Sequence, residues 1–157
     1  MMPGVDEVRR FIEEHGLDAR ILEFDEPVKT VEEAARRSGA DPSEIVKTMI
    51  LIADDRPVAA MIQGDKRIDL GKLRRVLEVN YVRLARPSEV LKLLGVGIGA
   101  ISPLLNSMKR IRCVMDEGIL RKNTVLAGGG SEKTLILVRP RDLAEILKPE
   151  IADISKA

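Results

Sequence analysis

The chain has 157 residues, 45% of them apolar and 32% charged, with 26 basic side chains against 25 acidic ones and a formal net charge of +1. Length and balance describe a single domain over residues 1–157 that can bury a core, and they exclude broad charge-driven nucleic-acid binding, which needs a basic excess. No apolar run approaches the ~18 residues of a membrane span, no signal-peptide core opens the chain, and one cysteine and one histidine leave no disulfide and no Cys/His metal cluster, so a cytoplasmic protein without metal, cofactor or membrane partner is expected.

Val5, Val8, Phe11 and Ile12 fall on one face of a helix from Val5 to His15, with Gly16 as its stop and His15 where a cation complements the dipole. Ala19 to Phe24 reads as a strand. Thr30-Val-Glu-Glu33 carries the hydroxyl and carboxylate of a capping box, and the helix it opens ends at Gly39. Asp41-Pro-Ser-Glu44 starts another short helix, with proline at its first position. Val46 to Ala53 and Val58 to Ile62 are apolar runs joined by Asp54-Asp-Arg-Pro57, an antiparallel hairpin. Asp69 caps a helix carrying Leu70, Leu73, Val76 and Leu77; Tyr81 to Ala85 is a strand; Pro87 opens a helix carrying Val90, Leu91 and Leu94. Ile111 to Met115, Val125 to Ala127 and Thr134 to Val138 are strands, and Arg141 to Leu147 is a closing helix. Helices interleaved with strands, one pair of them a hairpin, predict a mixed α/β (α+β) domain.

Three segments stand out chemically. Gly95-Val-Gly-Ile-Gly-Ala-Ile-Ser-Pro103 follows a helix instead of a strand, so it is no dinucleotide fingerprint. Its glycines can still turn several amides toward one anion or oxyanion. Gly128-Gly-Gly-Ser131 precedes a strand where a P-loop needs a helix, and reads as a glycine-rich β-connection beside a pocket. Lys47 opens an apolar strand with both faces buried, where its ammonium needs a partner or a route to water. Phe11, Phe24 and Tyr81 are the only aromatics, too few for a base-stacking platform. Cys113 lies in an apolar strand and reads as an inert core residue. What remains for chemistry is backbone donors, a lysine, a serine and the substrate's own groups, which suits hydrolysis of an activated ester.

At these residues the chain resembles the YbaK/prolyl-tRNA-synthetase-associated editing domain family. The resemblance runs from Thr30-Val-Glu-Glu-Ala-Ala35 through Ile45-Val-Lys-Thr48 and Gly99-Ala-Ile-Ser-Pro103 to Arg141-Asp-Leu143. It implies a mixed fold with a curved, partly barrel-like sheet, and hydrolysis of the ester between a wrong amino acid and the 3′ end of tRNA, typically tRNA-Pro. Lys47 matches the lysine expected to hold the terminal adenosine or its phosphate. Gly99, Ser102 and Pro103 match the loop expected to embrace the aminoacyl carbonyl, with Gly97, Ala100 and Ile101 beside it. Phe24, Thr30, Gly128, Gly129, Gly130 and Ser131 are expected around the substrate. The implied partners are the aminoacylated tRNA end and prolyl-tRNA synthetase, and the length fits a free-standing trans-editing deacylase acting on a small amino acid such as Cys or Ala. Ala100 stands where relatives carry a second glycine, and Gly128-Gly-Gly-Ser-Glu132 lacks the basic-glycine-aspartate pattern of cysteine-clearing members. The alternatives are a non-catalytic tRNA- or synthetase-binding module of the same fold and a small-ligand binder.

Overall fold

The computed structural model describes residues 3–157. In chain order the elements are α1 (Pro3–His15), β1 (Ala19–Glu23), α2 (Val31–Ser38), β2 (Val46–Ala53), β3 (Arg56–Gln63), β4 (Arg67–Ile68), α3 (Leu70–Leu77), β5 (Val82–Leu84), α4 (Pro87–Leu94), β6 (Arg112–Asp116), β7 (Val125–Gly128), β8 (Thr134–Val138), α5 (Pro140–Leu147), β9 (Glu150–Ala152) and β10 (Ser155–Lys156). Short 3₁₀ turns occupy Pro42–Glu44, Ile98–Ala100, Asn106–Arg110 and Glu117–Arg121.

The helix ends follow their local chemistry. The Thr30 hydroxyl accepts from the Glu33 N–H and the Glu33 carboxylate accepts from the Thr30 N–H, both at 3.1 Å, while Gly39 closes α2 at φ 79°. The Asp41 carboxylate accepts from the Ser43 N–H and the Glu44 carboxylate accepts from the Asp41 N–H, both at 2.9 Å, but only a single 3₁₀ turn follows, because the β-branched Ile45 and Val46 carry the chain straight into β2. The β2–β3 hairpin turns on Asp54 and Asp55, both at positive φ (45° and 69°). A two-residue turn of this hand needs φ > 0 at both centres, which Asp tolerates without glycine. Asp54 is held there by the N–H groups of Asn80 and Tyr81, which donate to its carboxylate at 3.1 and 3.0 Å. Pro57 fits within β3 because β6 pairs with that strand only from Val58 onward.

The principal sheet is mixed, in the order β5-β2-β3-β6-β9, antiparallel across β5, β2 and β3 and parallel across β3, β6 and β9. An antiparallel sheet β1-β8-β7 and the small pair β10-β4 complete the strands. Among the described residues these are three separate sheets, not one continuous barrel wall, and a single parallel bridge from Ile45 to Leu126 links β7 to the start of β2.

Alternation along β2 and β3 splits the core in two. Val46, Ile50, Ala59 and Met61 pack with Val8, Phe11, Leu104 and Ile136 on one side. Leu51, Ala53, Ala60 and Ile62 pack with Leu73, Leu77 and Ile154 on the other. A third cluster of Val28, Ala34, Ile45, Leu126 and Leu135 fills the junction between α2, β2 and the three-stranded sheet. No helix among the described residues is long and apolar enough to cross a membrane.

Candidate functional site

The site arises from an incomplete strand edge. β3 pairs along the whole of β2, yet β5 covers the opposite edge only at Leu51–Ala53, and the bridge at Ile45 lies beyond the other end. Between them, Val46 to Met49 have no ladder partner on that edge among the described residues. A cavity of about 200 Å³ opens there, walled by β2, the start of α2, the 98–101 turn and the facing ends of β7 and β8.

Lys47, Thr30, Gly99, Ile101 and Gly128 all line this cavity. The strand-borne ammonium and the glycine loop, 52 residues apart between Lys47 and Gly99, therefore share one space. Lys47 is half-buried and its Nζ donates to the Lys66 carbonyl at 3.0 Å. That bond uses one of the three ammonium donors and leaves two for a ligand. Val28, Ala34, Ile45 and Leu135, members of one buried cluster, give the cavity an apolar wall.

The loop reaches the cavity through a close approach that only glycine allows. A Cβ on Gly128 would lie 1.8 Å from the Ile101 carbonyl oxygen. The turn at Ile98–Ala100 ends at Ile101, whose N–H makes no capping bond back into that turn among the described residues. At the mouth, Lys29 Nζ lies 3.7 Å from Glu132 Oε2, and a Cβ on Gly99 would meet both side chains at 3.0 to 3.1 Å.

The other expected residues sit elsewhere. Ser102 is fully buried and its Oγ accepts from the Leu104 N–H at 3.2 Å, so it underlies the loop from the core; Pro103 is buried beside it. Gly97 precedes the turn and Ala100 is its last residue, and neither lines the cavity. Gly129 and Gly130 are buried, and Gly130, at φ 100°, packs so tightly on Gly4 of α1 that a Cβ there would lie 2.5 Å from the Gly4 carbonyl carbon. The third glycine thus docks a helix, while the second closes the connection against Thr134, 2.8 Å from where its Cβ would stand. The Ser131 hydroxyl is shared with Thr134 Oγ1 at 2.9 Å, bracing the connection. Phe24 lies in a different, shallower depression of about 650 Å³ between β1 and the C-terminal end of α2.

Among the wall residues that the sequence reading did not single out, Thr48 and Lys29 bear most on the chemistry. Thr48 Oγ1 is buried with no hydrogen-bond partner among the described residues, and Lys29 guards the mouth. Thr48 sits beside Lys47 on a strand buried on both faces, and alternation could have placed it against a core but not against a gap in the sheet. An unmet buried hydroxyl costs about 1–3 kcal/mol, which marks the wall as prepared for a polar ligand or water.

Residues 25–146 match the family described as the aminoacyl-tRNA editing domain. The proline–tRNA ligase of Thermotoga neapolitana is 39% identical over 118 residues, which is 73% of this chain and 20% of that protein. The chain spans about a fifth of the length of such curated relatives. Two solved structures superpose on it with TM-scores of 0.89: a hypothetical protein at 36% identity, covering 96% of this chain and 99% of that one, and a candidate trans-editing enzyme for prolyl tRNA synthetase at 28% identity, covering 100% and 99%. With the matched segment holding the whole cavity, the chain belongs to the aminoacyl-tRNA editing domain family.

Proposed function

We propose that this chain is a deacylase that hydrolyses the ester joining a wrong, small amino acid to the 3′ end of tRNA, acting in trans on tRNA-Pro. The observation that carries the reading is the convergence of Lys47, Thr48 and the Gly99–Ile101 backbone on one cavity inside the segment that matches the editing family. At about 200 Å³ the cavity is smaller than the ~300–1,000 Å³ that encloses a whole drug-sized ligand. It suits the aminoacyl group, with the terminal adenosine and its phosphate at the mouth. The apolar wall of Val28, Ala34, Ile45 and Leu135 suits a small side chain such as that of Ala or Cys.

Lys47 holds the adenosine ribose or phosphate with its two uncommitted donors. The Ile101 N–H faces the developing oxyanion, and the Thr48 hydroxyl orients the attacking water. Gly128 positions the loop; Ser102 and Pro103 brace it from below. An aminoacyl ester is reactive by itself, so positioning and one or two oxyanion donors suffice, and loss of one good donor raises the barrier by about 3 kcal/mol. The synthetase is a partner in supply: it makes the mischarged tRNA that this chain clears.

Incubation with tRNA-Pro carrying Cys, Ala, Ser or Thr, followed by measurement of ester loss, tests the reading. Accelerated loss from at least one of them is expected. Tight tRNA binding with no acceleration on any member would favour the non-catalytic binding module instead.

A further inference from the structure

A second depression takes no part in the chemistry above. It has a volume of about 410 Å³ and lies between residues 120–124, which lead into β7, and residues 139–142, which leave β8 and begin α5. Val125 pairs with Val138 at this end of the ladder, and Gly128 with Leu135 at the cavity end. At ~3.4 Å per residue the two sites are the opposite ends of a ladder about 10 Å long. Four cations line the depression, Arg121, Lys122, Arg139 and Arg141, against one carboxylate, Asp142. In a chain of net charge +1 that is a local excess.

Arg139 pairs with Asp18 at 3.4 Å and Arg121 with Glu117 at 3.9 Å, and all four side chains are more than half exposed. Such surface pairs contribute little and exchange readily for a stronger anion. Lys122 and Arg141 make no ion pair within 4 Å among the described residues. Asp41 lies within electrostatic range of Lys122, but as the weakest influence on that carboxyl. No aromatic side chain lines the depression, so it offers nothing for a base to stack on.

We propose that this basic depression receives backbone phosphates of the tRNA acceptor stem while the aminoacylated 3′ end occupies the cavity. The inference rests on the editing reading and adds its RNA footprint. Guanidinium forks match phosphate oxygens in pairs, and the Asn123 and Thr124 side chains at the rim supply neutral donors of the kind that position a nucleic-acid backbone. With a net charge of only +1 over the whole chain, a compact cluster of cations a short distance from the cavity offers a local set of phosphate contacts that a broad basic surface would otherwise supply.

The test uses a Lys122→Gln/Arg141→Gln double variant and, as a charge-preserving control, Lys122→Arg/Arg141→Lys. Fluorescence anisotropy with uncharged tRNA is followed across a salt series, and ester loss is measured on whole mischarged tRNA and on a mischarged 3′-terminal fragment too short to leave the cavity. The neutral variant binds tRNA about tenfold more weakly, with a salt slope shallower by about 1 per side chain lost. It hydrolyses the short fragment at the wild-type rate, and the control variant restores tRNA binding. Unchanged tRNA affinity and slope, or an equal loss on the short fragment, overturns the proposal. If the wild type binds tRNA through these residues yet hydrolyses neither substrate, the phosphate contact stands and the editing reading falls. If the wild type hydrolyses tRNA and the neutral variant binds as it does, the reverse holds.

Discussion

Gly128 and Ile101 show how one missing methyl group shapes the cavity. The Ile101 carbonyl occupies the space a Cβ would need, so Gly128→Ala pushes the 98–103 loop off β7. An overpacking cost of about 1–3 kcal/mol is expected, read as a lower melting temperature, together with slower deacylation because the Ile101 N–H moves with the loop. Lys47 drew attention in the sequence because a cation at the head of a strand buried on both faces needs a partner or a route to water, and it lies on the cavity wall with the Lys66 carbonyl as its partner. Thr48 and Lys29 drew none, since nothing in their spacing reveals that β2 lacks a neighbour between Val46 and Met49. The glycine triplet misled for a related reason: Gly128 does meet the cavity, whereas Gly130 exists to admit Gly4, 126 residues earlier in the chain. Cys113 behaves as its apolar setting suggests. Burial pushes its thiol up to about 12, so a thiolate-directed reagent such as iodoacetamide modifies the native protein far more slowly than the unfolded chain at pH 8. Equal rates in the two states would contradict that setting.

At the scale of elements, capping and turn chemistry carried most of what the sequence disclosed. Thr30, Asp41, Asp69 and Pro87 each start the turn or helix expected of them, because a cap is decided within four residues. The strands β4, β9 and β10 were illegible: two or three residues long, they form by pairing with β10, β6 and β4 across the fold, without a period of their own. Thr30→Ala removes one half of the α2 capping box and should cost about 1 kcal/mol in a denaturant titration. The same helix start borders the cavity, so a raised KM should accompany it. The β5–α4 corner provides a pH test. Arg83 holds Glu89 through two hydrogen bonds, at 2.7 and 2.9 Å, and the Arg86 N–H adds a third at 2.8 Å. These bonds, Arg83 first, depress the Glu89 carboxyl from 4.5 to about 2. A depressed carboxyl contributes stability above its unfolded value and loses it as pH falls through its folded one. Glu89→Gln is therefore less stable than the wild type at pH 7, and the difference shrinks as pH drops from 4.5 toward 2. A gap that stays constant over that range would show that the Arg83 pair does not carry it.

Seen whole, the molecule opens its candidate site where two sheets fail to join. The mixed sheet ends at the free edge of β2, the β1-β8-β7 sheet stops beside it, and the glycine loop caps the opening. The mixed α/β architecture was readable from the interleaved elements and the hairpin, but the gap was not, because it depends on how short β5 is. Lys47, the Thr48 hydroxyl (unpartnered among the described residues) and the Gly99–Ile101 segment share this cavity in a chain with one histidine and one cysteine, and the chemistry proposed for it is hydrolysis of an ester that is already reactive. The decisive measurement is single-turnover ester loss from mischarged tRNA-Pro with wild-type protein and with Lys47→Ala, each checked for an unchanged melting curve. The account predicts rapid loss with the wild type and a rate near that of the uncatalysed ester with the variant. A folded Lys47→Ala protein that deacylates at the wild-type rate would contradict it.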